Sequence, residues 1–188
     1  MNLYFLGGSF DPPHLGHLKI AEHFINRSDL FLYIPAKRSP FKKKKPTVTA
    51  EHRFNMLKIM SVNFRNIKVD PFELYHEQES FTYITVDYLI QKYNPTTLNM
   101  IIGKDNLIGL KKWKNINSIR EKCEIICIDR EAVETDFTST INVSFENFNK
   151  NVSSTKIKRL LKLKKIDTIS NLVEPNVMKY ILKHKLYR

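Results

Sequence analysis

The chain has 188 residues, 42% of them hydrophobic, and a formal net charge of +12. That length supports one domain with its own core, and no apolar run is long enough to span a bilayer. The start, Met1-Asn2-Leu3-Tyr4-Phe5-Leu6, lacks the charged opening and long apolar stretch of a signal peptide, so a cytoplasmic location is expected.

The basic balance fits a nucleic acid, an anionic small substrate or a merely lysine-rich composition. Its densest run, Lys42 to Lys45, is four residues long, and the remaining cations are spread along the chain. Nucleic acid is therefore not the expected partner, since a basic balance alone says little. Cys123 and Cys127 lie four apart on what reads as a strand, roughly 13 Å. A disulfide needs Cα atoms within about 7 Å, so buried reduced thiols are expected.

In chain order, residues 2–6 read as a short apolar strand running into Gly7-Gly8. Leu15, Leu18, Ala21, Phe24 and Ile25 then have helical spacing. Leu30 to Ile34 is a second strand, stopped by Pro35. Residues 36–48 are basic, contain Pro40 and Pro46, and read as a loop. Thr49 can cap a helix from Ala50, with Phe54, Leu57, Met60 and Phe64 on one face. Ile67 to Val69 is a brief third strand, and residues 70–79 read as irregular. A helix after Ser80 turns Tyr83, Val86, Leu89, Ile90 and Tyr93 inward. Strands follow at Leu98 to Ile102, Ile125 to Ile128 and Ile141 to Phe145. Ser153 or Ser154 opens a basic helix through Leu163, and Pro175 opens a last one, Val177 to His184. Strands alternating with helices argue for an α/β fold, an open, doubly wound, mostly parallel sheet with helices on both faces. No repeat or linker divides the chain, so one domain over residues 1–188 is expected, helical from about 153. Ligands of such sheets bind beyond the carboxyl ends of the strands, where strand order reverses.

Chemistry concentrates in Gly7-Gly8-Ser9-Phe10-Asp11-Pro12-Pro13-His14-Leu15-Gly16-His17. Glycines after the first strand let a ligand approach the backbone. The helix behind them offers unpaired N–H groups and the positive end of its dipole. His14 and His17, three apart, share a face of the first turn and can donate to phosphate oxygens, with Gly16 leaving room for a base or ribose. No Gly-Lys-Ser/Thr follows, so this is not a Walker loop, nor is it Gly-x-Gly-x-x-Gly. A tight turn carrying two surface histidines is the plain alternative. Metal binding by the pair would need further ligands that no Cys or His cluster supplies.

Residues 7–17 resemble the signature of the nucleotidyltransferase superfamily with the (H/T)-x-G-H motif. Val152-Ser153-Ser154-Thr155-Lys156-Ile157-Lys158 is similar to that superfamily's second motif, Ile-Ser-Ser-Thr-x-Ile-Arg. Gly103-Lys104-Asp105 with Trp113, Pro35 to Lys42, Ser80-Phe81-Thr82 and the tail Glu174-Pro175 to Leu186-Tyr187-Arg188 resemble bacterial nicotinate mononucleotide adenylyltransferases. The resemblance runs nearly end to end and implies a Rossmann-like fold of the adenine nucleotide alpha hydrolase-like kind. It implies transfer of the adenylyl group of ATP to nicotinic acid mononucleotide, with Mg²⁺ accompanying ATP, in NAD biosynthesis.

By the same resemblance, Gly8, Ser9, Phe10 and Gly16 would line the ATP site, with Gly103 and with Asp105 on the ribose hydroxyls. His14 and His17 would bind ATP phosphates. Ser153, Ser154 and Thr155 would hold the departing phosphates, with Lys158 beside them. Trp113 would stack on the pyridine ring, Thr82 would meet the nicotinate carboxylate, and Lys42 and Arg130 would contact the mononucleotide phosphate. Two positions depart from the family pattern: Phe41 stands where a His is usual, and Lys158 where an Arg is usual, a point charge in place of a bidentate fork. Other readings are a phosphopantetheine adenylyltransferase of the same superfamily, against which Trp113 and Ser80-Phe81-Thr82 speak, or a non-catalytic nucleotide-binding protein. Monomer and homo-oligomer both remain open.

Overall fold

The computed structural model describes residues 1–38, 45–77, 80–129, 143–147 and 152–188. In chain order these form β1 (Asn2–Gly8), α1 (Leu15–Phe24), β2 (Leu30–Pro35), α2 (Ala50–Ser61), β3 (Ile67–Val69), α3 (Phe72–Tyr75) and α4 (Thr82–Tyr93). There follow β4 (Thr97–Gly103), α5 (Lys104–Gly109), α6 (Ile116–Lys122), β5 (Glu124–Asp129), β6 (Val143–Asn147), α7 (Ser154–Lys162), α8 (Ile166–Ser170) and α9 (Pro175–Lys183).

The strands form one sheet in the order β3-β2-β1-β4-β5-β6. Every described pairing is parallel, with Phe5 opposite Leu32 on one side and Met100 on the other. Side chains alternate across each strand, so the sheet carries a core on each face. Leu6, Phe31, Tyr33 and Ile101 pack with residues of α1, α2, α7 and α9. Leu3, Phe5, Leu32 and Met100 pack on the other face with Val86 and Leu89 of α4 and Ile119 of α6. The chain winds outward from β1 to β3, then returns to place β4 beside β1. The reversal therefore falls between the carboxyl ends of β1 and β4, where Gly7 and Gly103 stand.

Local signals explain most boundaries. The Thr49 side chain accepts from the His52 amide at the start of α2, and Glu174 accepts from the Val177 amide at the start of α9, with Pro175 next. Asn94 closes α4 in a left-handed conformation, φ 42°.

Several expectations need correction. Residues 70–79 are not all irregular, since Phe72–Tyr75 forms a helical turn. There Asp70, buried at the end of β3, accepts from the Phe72 amide and from Tyr88, Lys92 and Tyr93 of α4. The helices α5, α6 and α8 are short enough to escape periodicity altogether. On α2 the inward set is Arg53, Met56, Leu57 and Met60, while Phe54 is half-buried and Phe64 lies beyond the helix. An arginine takes the place that an apolar side chain would hold. No helix among the described residues is long and apolar enough to cross a membrane.

Candidate active site

The turn after β1 is held from several sides. Phe10 adopts a left-handed backbone, φ 46°, which is unfavourable for a bulky residue. Its ring is buried and meets the rings of His17 and Tyr33 edge-on, at 4.8 and 5.6 Å. Beneath the turn lies Arg53, only 1% exposed. Its Nη1 donates to the carbonyl of Ser9 at 2.8 Å and of Ala36 at 2.7 Å. One guanidinium thus ties the ends of β1 and β2 together. Burial lowers its pKa against the opposing pull of Asp11.

His14 is the N-cap of α1, and its amide donates to His17 Nδ1 at 3.1 Å. The two imidazoles stack, with centroids 3.7 Å apart and 19° between planes. The shared face expected from their spacing is present. The room over Gly16, expected for a base or ribose, is instead taken by the His14 ring: a Cβ there would lie 2.9 Å from His14 Nδ1. Burial drives the His14 pKa down to about 4, so the ring is neutral at physiological pH.

The second motif comes to the same place. Ser153 caps α7 by accepting from the Lys156 amide, and Ser154 Oγ donates to the carbonyl of Pro12 at 2.8 Å. Gly16 and Val152 are neighbours, so the N-termini of α1 and α7 lie side by side, and Ser153 and Thr155 are exposed there. Two adjacent helix starts bring the positive ends of their dipoles together as a shelf suited to phosphate, although the Leu15 amide is taken by Leu172, the His17 amide by His14 and the Lys156 amide by Ser153. Lys158 reaches inward: its Nζ donates to Asp11 Oδ2 at 2.8 Å and to Thr47 Oγ1 at 3.1 Å. Burial works to raise the Asp11 pKa, but Lys158 and the Thr47 amide, at 2.8 Å, outweigh it and hold it below the usual carboxylate range.

At the switch point a cleft opens. One wall is Gly7, Gly8 and Ser9; the other holds Thr82, Trp113 and Lys114. A Cβ at Gly7 or Gly103 would meet nothing within 4 Å, so the strand ends face open space. Trp113 is half-buried against the core of its sheet face, and the Lys114 ammonium sits 4.7 Å over the Phe81 ring. Glu73 lies in the cleft floor, accepts from Thr85 Oγ1 at 2.6 Å, and has its pKa raised by burial. Asp105 is exposed on the first turn of α5.

The fold therefore gathers Gly8, Ser9, Phe10, His14, Gly16 and His17 with Ser153, Ser154, Thr155 and Lys158. Thr82 and Trp113 line the adjoining cleft, while Gly103 and Asp105, at the junction of β4 and α5, are not among its lining residues, which include their neighbours Ile102 and Asn106. Lys42 and Arg130, like Phe41, lie outside the described residues. Arg53, Thr47 and Glu73 were not legible as site-forming. Arg53 alone had a signal, a lone cation amid the buried positions of α2.

A sequence model of the cytidylyltransferase-like family matches residues 5–160. The probable nicotinate-nucleotide adenylyltransferase of Clostridium tetani is 33% identical over 97% of this chain and 96% of that one. That of Flavobacterium psychrophilum is 32% identical over 100% of this chain and 98% of its own length. In fold, the chain is similar to Plasmodium falciparum nicotinic acid mononucleotide adenylyltransferase complexed with NaAD. The TM-score is 0.80 at 21% identity, covering 99% of this chain and 97% of that one. The two motifs that meet at the helix starts fall within the matched region, and the chain belongs to the cytidylyltransferase-like family and, within it, to the nicotinate-nucleotide adenylyltransferases.

Proposed function

We propose that this chain transfers the adenylyl group of ATP to nicotinic acid mononucleotide, releasing pyrophosphate and forming deamido-NAD. The observation that carries this reading is the juxtaposition of the paired α1 and α7 starts with a cleft walled by glycine backbone and Trp113. The first offers a polyphosphate its donors; the second offers an aromatic ring a stacking face.

In the reaction an oxygen of the acceptor phosphate attacks the α-phosphorus of ATP in line. One O–P bond forms, and the bond from the α-phosphorus to the bridging oxygen breaks as pyrophosphate leaves. The attacking oxygen is already anionic, so the protein supplies no nucleophile and needs no strong base. Its part is positioning and charge stabilisation. The backbone of Gly8 and Ser9 borders the nucleotide, and Asp105 accepts from ribose hydroxyls. His14 and His17 donate to phosphate oxygens, and Ser153, Ser154, Thr155 and Lys158 receive the leaving pyrophosphate. Trp113 stacks on the pyridine, and Thr82 binds its carboxylate. Lys42 and Arg130 are proposed for the acceptor phosphate by resemblance alone.

The described residues offer no group of three His, Cys, Asp or Glu able to hold a metal. Mg²⁺ is accordingly proposed to arrive on the ATP phosphates, where it would screen their charge, as this ion commonly does with few protein ligands. No step is assigned to it.

The test is pyrophosphate release from ATP and Mg²⁺ with nicotinate mononucleotide, nicotinamide mononucleotide or phosphopantetheine as acceptor, in wild type and His17→Ala. Turnover with the nicotinate acceptor, lost in the variant, is the expected result. Turnover with phosphopantetheine alone, or none with any acceptor, would overturn the assignment.

A further inference from the structure

The cleft at the switch point is nearly uncharged. Among the described residues that line it, only Glu73 and Lys114 carry ionisable side chains. The remainder is backbone, apolar or aromatic side chains, hydroxyls and the neutral amide of Asn106. Glu73 is buried and engaged: Thr85 Oγ1 donates to it at 2.6 Å, and burial disfavours its charged form.

Lys114 is placed differently. It is exposed, and its ammonium lies 4.7 Å from the centroid of the Phe81 ring and 5.9 Å from that of Tyr83. Among the described residues no carboxylate forms an ion pair with it. A ring face holds a solvated ammonium only weakly, so the charge stands at the rim, open to an arriving anion. Phe81 itself lines the cleft and precedes Thr82, which opens α4. The ammonium, the Thr82 hydroxyl and the positive end of the α4 dipole thus belong to the same wall as Trp113.

We propose that Lys114 selects an aromatic acid over the corresponding amide in this cleft, by pairing its ammonium with the ring carboxylate beside Thr82. This rests on the seating of the acceptor ring against Trp113 given above. In both mononucleotides the ribosylated ring nitrogen is positively charged. The carboxylate of the nicotinate form offsets that charge and gives Lys114 an anionic partner. The amide offers no offset, so the nicotinamide form brings a positively charged ring up to a cation. One side chain attracts the acid and repels the amide.

Trp113 is the only tryptophan of the chain, so quenching of its fluorescence reads ring binding directly. The full chain is titrated with each mononucleotide, alone and with α,β-methylene-ATP, which cannot release pyrophosphate. Wild type should bind the nicotinate form more tightly. In Lys114→Gln the ratio of the two Kd values should fall about tenfold, as for loss of one hydrogen bond between charged groups. Lys114→Arg, which keeps the charge, should restore most of the preference. Added salt should shrink the wild-type preference and leave that of Lys114→Gln unchanged, since the phosphate common to both acceptors cancels in the ratio. An unchanged preference in Lys114→Gln would overturn the proposal. So would equal weakening of both acceptors, which marks a packing role through Phe81. A wild type without preference, or one quenched by neither mononucleotide, would overturn it as well. Selective binding without pyrophosphate release counts against the adenylyl-transfer reading and not against this one. Turnover without selectivity counts against this one alone.

Discussion

The side chain that Gly16 lacks would sit 2.9 Å from His14 Nδ1 and 3.0 Å from His14 Cε1. The glycine of the His-x-Gly-His segment thus seats the first histidine against the helix and allows its stack on the second. Gly16→Ala should force the His14 ring out of that stack. We expect about 1–3 kcal/mol of destabilisation, as for overpacking of a buried site. Turnover should fall at least about tenfold, because misplaced donors lose transition-state contacts. Thermal unfolding beside steady-state kinetics checks this. Full activity would mean that the stack has no part in phosphate binding.

The neutral state of His14 predicts a pH dependence. Burial lowers its pKa from 6.5 to about 4, so between these values the unfolded chain binds a proton that the folded chain refuses. Stability is therefore complete above about pH 6.5 and lost as pH falls toward 4, about 2 kcal/mol of it between pH 7 and pH 5. Urea unfolding at those two pH values should show the loss, and His14→Gln should show most of it gone. An equal loss in the variant would place the effect elsewhere.

Arg53 predicts a structural failure with a functional signature. Arg53→Met leaves the carbonyls of Ser9 and Ala36 without their buried donor, and should cost about 3 kcal/mol or more. Arg53→Lys keeps the charge but not the fork, and should recover only part of this. In both, the denaturation midpoint should fall at constant slope. The KM for ATP should rise in the lysine variant as the turn after β1 loosens.

Trp113 separates the two halves of the site. If it stacks on the acceptor's ring, Trp113→Ala should raise the acceptor KM about tenfold while the ATP KM stays as in wild type. Equal changes in both would assign Trp113 to packing of the short 3₁₀ turn Leu110–Lys112 that precedes it.

Cys123 and Cys127 are both buried thiols outside any disulfide, and burial lifts the Cys123 thiol to about 12. A thiol reagent at pH 8 should leave the native protein unmodified and react with both thiols after unfolding. Rapid reaction in native buffer would reveal local opening at β5.

Sequence alone determined the alternation of β1, α1, β2 and α2, the cap at Thr49, a serine start to α7 at 153 or 154, the Pro175 opening of α9, and the two motifs. These are local matters: hydrophobic period, cap chemistry and glycine placement act within a few residues, so they can be read along the chain. The sheet's reversal point is not of this kind, since the return of β4 to the side of β1 follows only from the strand order. Short helices such as α5, α6 and α8 carry too few turns to register as a period, and sit where tertiary packing puts them.

Only the tertiary structure decided which distant groups meet. Nothing near Asp11 in sequence names Lys158, 147 residues away, as its partner. Arg53 has no named partner along α2 until the sheet brings Ser9 and Ala36 over it. Hydrogen bonds and ion pairs depend on distances of about 3 Å, and such distances between remote segments exist only once the sheet order has set which strand ends lie side by side.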